Sequence, residues 1–177
     1  METTRAILLR KIKLTETSLI VTWLTQDHGK LKTVAKGARQ AKSRFAGVLD
    51  LFYQCEIQFS RSRTSELHSL REATLAEAYE NLRFDYTRTA LAGYFVELLE
   101  MTTEPEHAVP ELFDLLHRAL AHLHEKPASE RALLHFESEL ARLVGVGEAG
   151  VSAAVALARA FHALPRARGE ILGRGLA

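Results

Sequence analysis

The hydrophobic period of this chain changes once, near Tyr79, and that change limits the folds open to it. Before Tyr79 apolar residues tend to recur at alternate positions, and beyond it they recur every third or fourth. A period of about two sorts side chains onto the two faces of a strand, while a period near 3.6 draws a single stripe along a helix. The chain is therefore expected to be α+β, with residues 1–79 forming a β domain and residues 80–177 an α-helical one.

The clearest alternation runs from Leu51 to Ser60. Leu51, Tyr53, Cys55, Ile57 and Phe59 are expected on a buried face, and most of the polar residues between them on the other. Ala6–Leu14, Ser18–Thr25, Leu31–Lys36 and Glu66–Leu75 supply four more strands, and Asp27-His28-Gly29 supplies a hairpin turn in which Gly29 takes positive φ. Five short, curved strands suggest a small barrel, and the OB-fold is the common five-stranded design that takes up single-stranded nucleic acid. Cys55 is the only cysteine. It is expected to pack in the core, and alone it excludes an internal disulfide or a multi-cysteine zinc site.

Four helices are expected downstream. The first buries Leu91, Tyr94, Phe95, Leu98 and Leu99, and the second, with Pro110 in its first turn, buries Leu112, Phe113, Leu116, Leu120 and Leu123. Ser129 is expected to cap a third helix that buries Leu133, Phe136, Leu140, Leu143 and Val144. Ser152 is expected to cap a fourth over Val151–Leu164, and residues 165–177, basic and glycine-containing, are expected to be mobile. No stretch approaches the roughly 18 apolar residues of a membrane helix, and METTRAILLRKIKL is too charged for a signal peptide. A cytoplasmic, nucleoid-associated protein is expected.

Charge is divided unevenly. Residues 1–80 hold 13 Lys+Arg against 9 Asp+Glu, residues 81–140 hold 5 against 11, and residues 141–177 hold 5 against 2. The basic charge peaks in KLKTVAKGARQAKSRF (Lys30–Phe45), which carries six cations and no acid. Such a run repels itself unless a polyanion or water screens it, and a phosphate backbone gains by releasing its condensed counterions. The candidate DNA-binding residues are Arg10, Lys11, Lys13, Lys36, Arg39, Lys42 and Arg44, with Phe45 as a base-stacking ring and Trp23 assigned to the core. Phosphate-binding loops, dinucleotide-binding glycine motifs and nucleophile elbows are absent from the sequence, so no enzyme is expected. His117, His122 and His124 are taken as exposed helical residues, not metal ligands, and Glu97, Glu100, Glu104 and Glu106 as a solvated face. No metal or cofactor is expected.

The order His28-Gly29-Lys30-Leu31, Val34–Arg39 (VAKGAR) and Lys42–Phe45 (KSRF) resembles the N-terminal domain of the bacterial recombination mediator family RecO. The resemblance covers about the first 80 residues well and the rest in length and pattern only. It implies an OB-fold followed by a helical domain and non-catalytic work in DNA repair. That work is binding single- and double-stranded DNA, annealing complementary strands, and loading RecA with RecR onto DNA coated by single-strand-binding protein (SSB). Many members carry a four-cysteine zinc module where this chain has GVGEAG (Gly145–Gly150), so zinc is not carried over. The resemblance also implies that the helical domain captures the acidic, Phe-ended SSB tail. Arg118 and Arg131 are the expected rim of that pocket, with Leu120, Leu123 and Leu134 as its lining. Two other functions fit the basic stretch: a protein-interaction adaptor docking an acidic partner, and an RNA-binding OB protein.

Overall fold

A computed structural model describes residues 1–176. The chain divides into two compact units. One is Met1–Ala78 joined by Glu104–Phe113, and the other comprises Tyr79–Thr103 and the residues from Asp114 onward.

The first unit is a closed five-stranded barrel made of β1 (Glu2–Lys13), β2 (Leu19–Thr25), β3 (Gly29–Ala35), β4 (Gln54–Ser60) and β5 (Leu67–Glu77). Its strand order is β1-β2-β3-β5-β4, as in an OB barrel, with β3 and β5 parallel and every other pair antiparallel. β1 borders both β2 and β4, and a register shift between Leu8 and Arg10 bends it from one neighbour toward the other. Such bulges add the curvature that closes so few strands. Inside lie Ala6, Leu8, Val21, Trp23, Leu31, Cys55, Ile57, Phe59 and Leu70. Trp23 is fully buried, and its indole N–H donates to Thr33 Oγ1 at 2.9 Å, so its one polar atom is satisfied.

The alternation expected from Leu51 shows in burial only from Cys55 onward, since Tyr53 and Gln54 are both buried. Leu51 is 42% exposed, whereas Phe52 is buried and takes φ +69°. The left-handed residue shifts the phase of the chain by one, and Phe52 N–H donates to Leu8 O while Leu8 N–H donates to Tyr53 O. Strand pairing thus starts at Gln54.

Glu104–Phe113 is an irregular segment laid on the barrel. Pro105 makes a parallel bridge to Lys30, and Glu106 N–H donates to Lys30 O at 2.8 Å. Gly29 has φ +68°, and a Cβ there would lie 2.2 Å from His107 O. It serves the hairpin and the segment at once. Glu106 is no member of a solvated face: its carboxylate accepts from Arg61 Nη1, and its Oε1 lies 2.9 Å from His68 Nε2.

The second unit holds a 3-10 turn (Glu80–Phe84) and α1 (Tyr86–Thr102). The rest of α2 (Pro110–Glu125), then α3 (Glu130–Leu143), α4 (Ala153–Phe161) and α5 (Ala167–Gly173), complete it. Asp85 caps α1 by accepting from Thr87 and Arg88 N–H, and Ser129 and Ser152 cap α3 and α4. The α1 stripe is buried as expected, while Leu143 and Val144 reach only half burial. α4 stops at Phe161, where His162 takes φ +71°. The stretch expected to be mobile contains α5 instead. Arg168 grips the buried Glu137 carboxylate through two nitrogens at 2.6 and 3.2 Å, Tyr94 Oη–H donates to the same carboxylate at 2.6 Å, and Ile171 is buried. Burial and the Glu137 carboxylate both push the Tyr94 phenol far above its usual range, so it remains a donor. Among the described residues, no helix is long and apolar enough to cross a membrane.

Candidate nucleic-acid interface

The 18 residues between β3 and β4 carry the part of the basic stretch that lies beyond β3. They contain no regular helix but a train of tight turns, with backbone bonds from Ala38 to Ala35, Gln40 to Gly37, Ser43 to Gln40, Ala46 to Ser43 and Val48 to Phe45. Gly37 and Gly47, both at positive φ, allow the reversals. The turns point Phe45 and Leu49 into the barrel core, with Ala38 and Val48 packed against it. This cap fills the core with its apolar side and leaves Lys36, Lys42 and Arg44 on its exposed side.

Phe45 is therefore not a stacking ring. It is 2% exposed, and the Arg44 guanidinium lies 4.9 Å from its ring centroid. A loop without period gives no sign of which residue is its plug, which is why the sequence suggested the reverse. Trp23 and Phe52, on neighbouring segments, are also buried.

The expected cations fall into two groups. Arg39 is a bracket: its Nη1 donates to the carbonyls of Thr15 (3.1 Å) and Glu16 (3.0 Å), and its backbone N–H donates to Thr17 O. It staples the cap to the β1–β2 turn. Lys11 Nζ donates to Leu49 O at 2.9 Å and pairs with Asp50 at 3.0 Å, fastening the cap's far end to β1. Lys13 pairs with Glu16, which is 87% exposed and so only weakly held. In the second group, Lys36, Lys42 and Arg44 are exposed, and among the described residues none of them is paired with a carboxylate. The staples bring the β1–β2 turn, the cap and the end of β1 into one basic region.

The strand register extends this region onto the barrel wall. Arg10 pairs with Thr22 and Thr22 with Lys32, so two exposed cations flank a threonine that is itself buried. At about 4.8 Å per strand, they stand roughly 10 Å apart. Lys32 was not among the expected site residues. Its signal is the alternation Leu31 in, Lys32 out, Thr33 in.

Cys55 is inert, since burial pushes its thiol up to about 12. His117 Nδ1 lies 2.7 Å from Tyr79 Oη and His124 Nδ1 accepts from Asn81 N–H at 3.3 Å, so these two histidines are tied into the helical unit, not freely exposed.

A second feature lies within the helical unit, a cavity of about 450 Å³ among α1, α2 and α3. Phe95 and Phe136, stacked at 4.0 Å, line it together with Leu115 and Leu123. Arg118, His122, Arg131 and His135 border it, and Arg118 pairs with Asp114 at 2.8 Å. Of the five expected pocket residues, Arg118, Leu123 and Arg131 meet here. Leu120 is fully buried and Leu134 is 46% exposed, and neither lines the cavity, because helical spacing turns them to other faces.

Two family models match the chain, Recombination protein O N terminal over residues 1–79 and Recombination protein O C terminal over residues 83–155. A DNA repair protein RecO of Desulfatibacillum aliphaticivorans is 36% identical over 146 residues, covering 81% of this chain and 57% of that protein. The DNA repair protein RecO of Syntrophus aciditrophicus is 33% identical over 146 residues, covering 82% of this chain and 56% of the relative. That of Rhodopirellula baltica is 32% identical over 171 residues, 97% of this chain and 63% of the relative. The chain thus spans somewhat more than half the length of the curated relatives it matches.

Proposed function

Because the chain belongs to the RecO family, we propose that it is a non-catalytic DNA-binding mediator of recombinational repair. In this role it binds single- and double-stranded DNA, anneals complementary strands, and with RecR helps load RecA onto SSB-coated DNA. The division of labour proposed is a DNA-binding barrel over residues 1–79 and a partner-binding helical part over residues 80–177.

The observation that carries the proposal is the cap, whose buried side anchors it while Lys36, Lys42 and Arg44 face solvent with no carboxylate partner among the described residues. Arg10, Lys13 and Lys32 extend the positive field. Fixing cations on a rigid base avoids part of the side-chain and loop ordering that binding would otherwise cost. No bond is made or broken in this mechanism. Cations that screen two strands at once lower their mutual repulsion and raise the local concentration of complementary bases.

The helical cavity supports the proposed SSB contact. Its apolar lining suits a buried phenyl ring, and Arg118 and Arg131 suit the acidic residues and terminal carboxylate of such a tail. The negative charge of residues 81–140 does not oppose this decisively, since the Debye length at physiological salt is about 8 Å.

The test is a titration of the full chain with single-stranded and duplex oligonucleotides across a range of salt. Expected is binding to both with a steep linear fall of log K against log salt. An adaptor that only docks acidic protein would bind a polyglutamate or tail peptide and neither oligonucleotide, and that result would overturn the proposal.

A further inference from the structure

We infer that the barrel holds DNA by the sugar–phosphate backbone alone and stacks no aromatic ring on a base, so a bound strand keeps its bases free to pair. The inference rests on the DNA-binding role proposed above and specifies which part of the polymer is recognised.

Proteins that bind single strands without sequence preference usually pair a basic groove with exposed rings, and each stacked base contributes about 5- to 150-fold in affinity. This barrel has the basic half of that arrangement without the other. Trp23 and Phe59 are fully buried, and Phe45, Phe52 and Tyr53 are 2%, 8% and 8% exposed. Phe113, in the segment laid on the barrel, is 3% exposed. The structure gives these rings other work. Trp23 uses its N–H on Thr33, Phe45 plugs the cap beneath Arg44, and Phe59 packs against His28 and His68. The imidazole of His28 is itself held against Glu2 at 3.3 Å.

The outward wall is consistent with this. The row Arg10–Thr22–Lys32 offers two cations on either side of a buried threonine, and the next row, Ile12–Ile20–Val34, is aliphatic. Neither presents a π-face. Lys and Arg follow phosphates, and aliphatic side chains impose no stack that a complementary strand would have to break. For annealing this matters, because a base stacked on protein must be released before it can pair.

The experiment compares the full chain's affinity for a fluorescent single-stranded oligonucleotide with that for an abasic strand of equal length, at one salt concentration. Expected are dissociation constants within about twofold. Tenfold or greater weakening on the abasic strand would overturn the inference, with one check. Phe84 and Tyr86 of the helical unit are 81% and 64% exposed, so the comparison is repeated in Phe84→Ala/Tyr86→Ala. Weakening that persists there sinks the backbone-only barrel. Weakening that vanishes assigns the stack to the helical unit, which upholds the backbone-only barrel but overturns its consequence that a bound strand keeps all its bases free. Failure to bind either strand would instead overturn the DNA-binding role itself.

Discussion

Two irregular segments lie on the same barrel and treat charge in opposite ways. The cap between β3 and β4 buries Phe45 and Leu49 and leaves Lys36, Lys42 and Arg44 without a paired acid among the described residues. The segment Glu104–Phe113 is instead fastened through one neutralised carboxylate, that of Glu106. Arg61 pairs with Glu2 at 2.6 Å and with Glu106, and Glu106 also meets His68, which is 3% exposed. Ser62 N–H donates to His68 Nδ1, which leaves Nε2 as the donor to Glu106. Compensated charge holds the segment to its own barrel. Uncompensated charge on an equally fixed base is available to a second molecule, which is how an interface can be told from a clasp.

The largest effect is expected at the plug. Phe45→Ala should cost about 3–4 kcal/mol in urea unfolding, because it leaves a cavity under the cap. Phe45→Leu should recover most of that stability and bind oligonucleotides as the parent does. A stacking role would show the reverse, with normal stability and lost affinity.

Gly29→Ala comes next, at about 2–4 kcal/mol, since a Cβ would collide with His107 O and φ is positive. The melting temperature should fall. A variant as stable as the parent would mean that the segment is not laid against this turn.

The clasp should give a smaller effect, and one that depends on pH. Partial burial raises the Glu106 carboxyl, but hydrogen bonds from Arg61 and His68 outweigh it and hold the group below the usual carboxylate range. A depressed folded pKa contributes stability that is complete above the unfolded value, near 4.5, and is lost as pH falls through the folded value. Glu106→Gln should cost about 1 kcal/mol or less at pH 7, given the exposure of the pair, and the difference should shrink below pH 4. An equal loss at pH 7 and pH 3 would count against the ion-pair origin.

Much of this was legible in the sequence, where local signals agreed. Alternation and turn residues marked the five strands, and Ser129 and Ser152 announced two helix starts. What was hidden depended on partners far along the chain. Nothing local shows that Phe45 is a plug or that Arg39 is bonded to carbonyls of a preceding turn. Nor does the short α5 betray that its Arg168 meets Glu137, 31 residues away. Leu51 and Phe52 exchanged faces because one residue became left-handed, which period counting does not register. The six-cation run was plain from the sequence, but which of its charges remain free required the fold.

The most direct test compares the salt dependence of oligonucleotide binding in three proteins, the parent, Lys36→Ala/Lys42→Ala/Arg44→Ala and Arg61→Ala. Loss of three phosphate contacts should lower the log–log slope by about 2 on single strands and about 3 on duplex, with little change in stability. Arg61→Ala removes one positive charge from the same barrel and should leave the slope unchanged. Equal slopes for the triple variant and the parent, or a fall in slope for Arg61→Ala, would contradict the claim that the uncompensated cap is the DNA-binding surface.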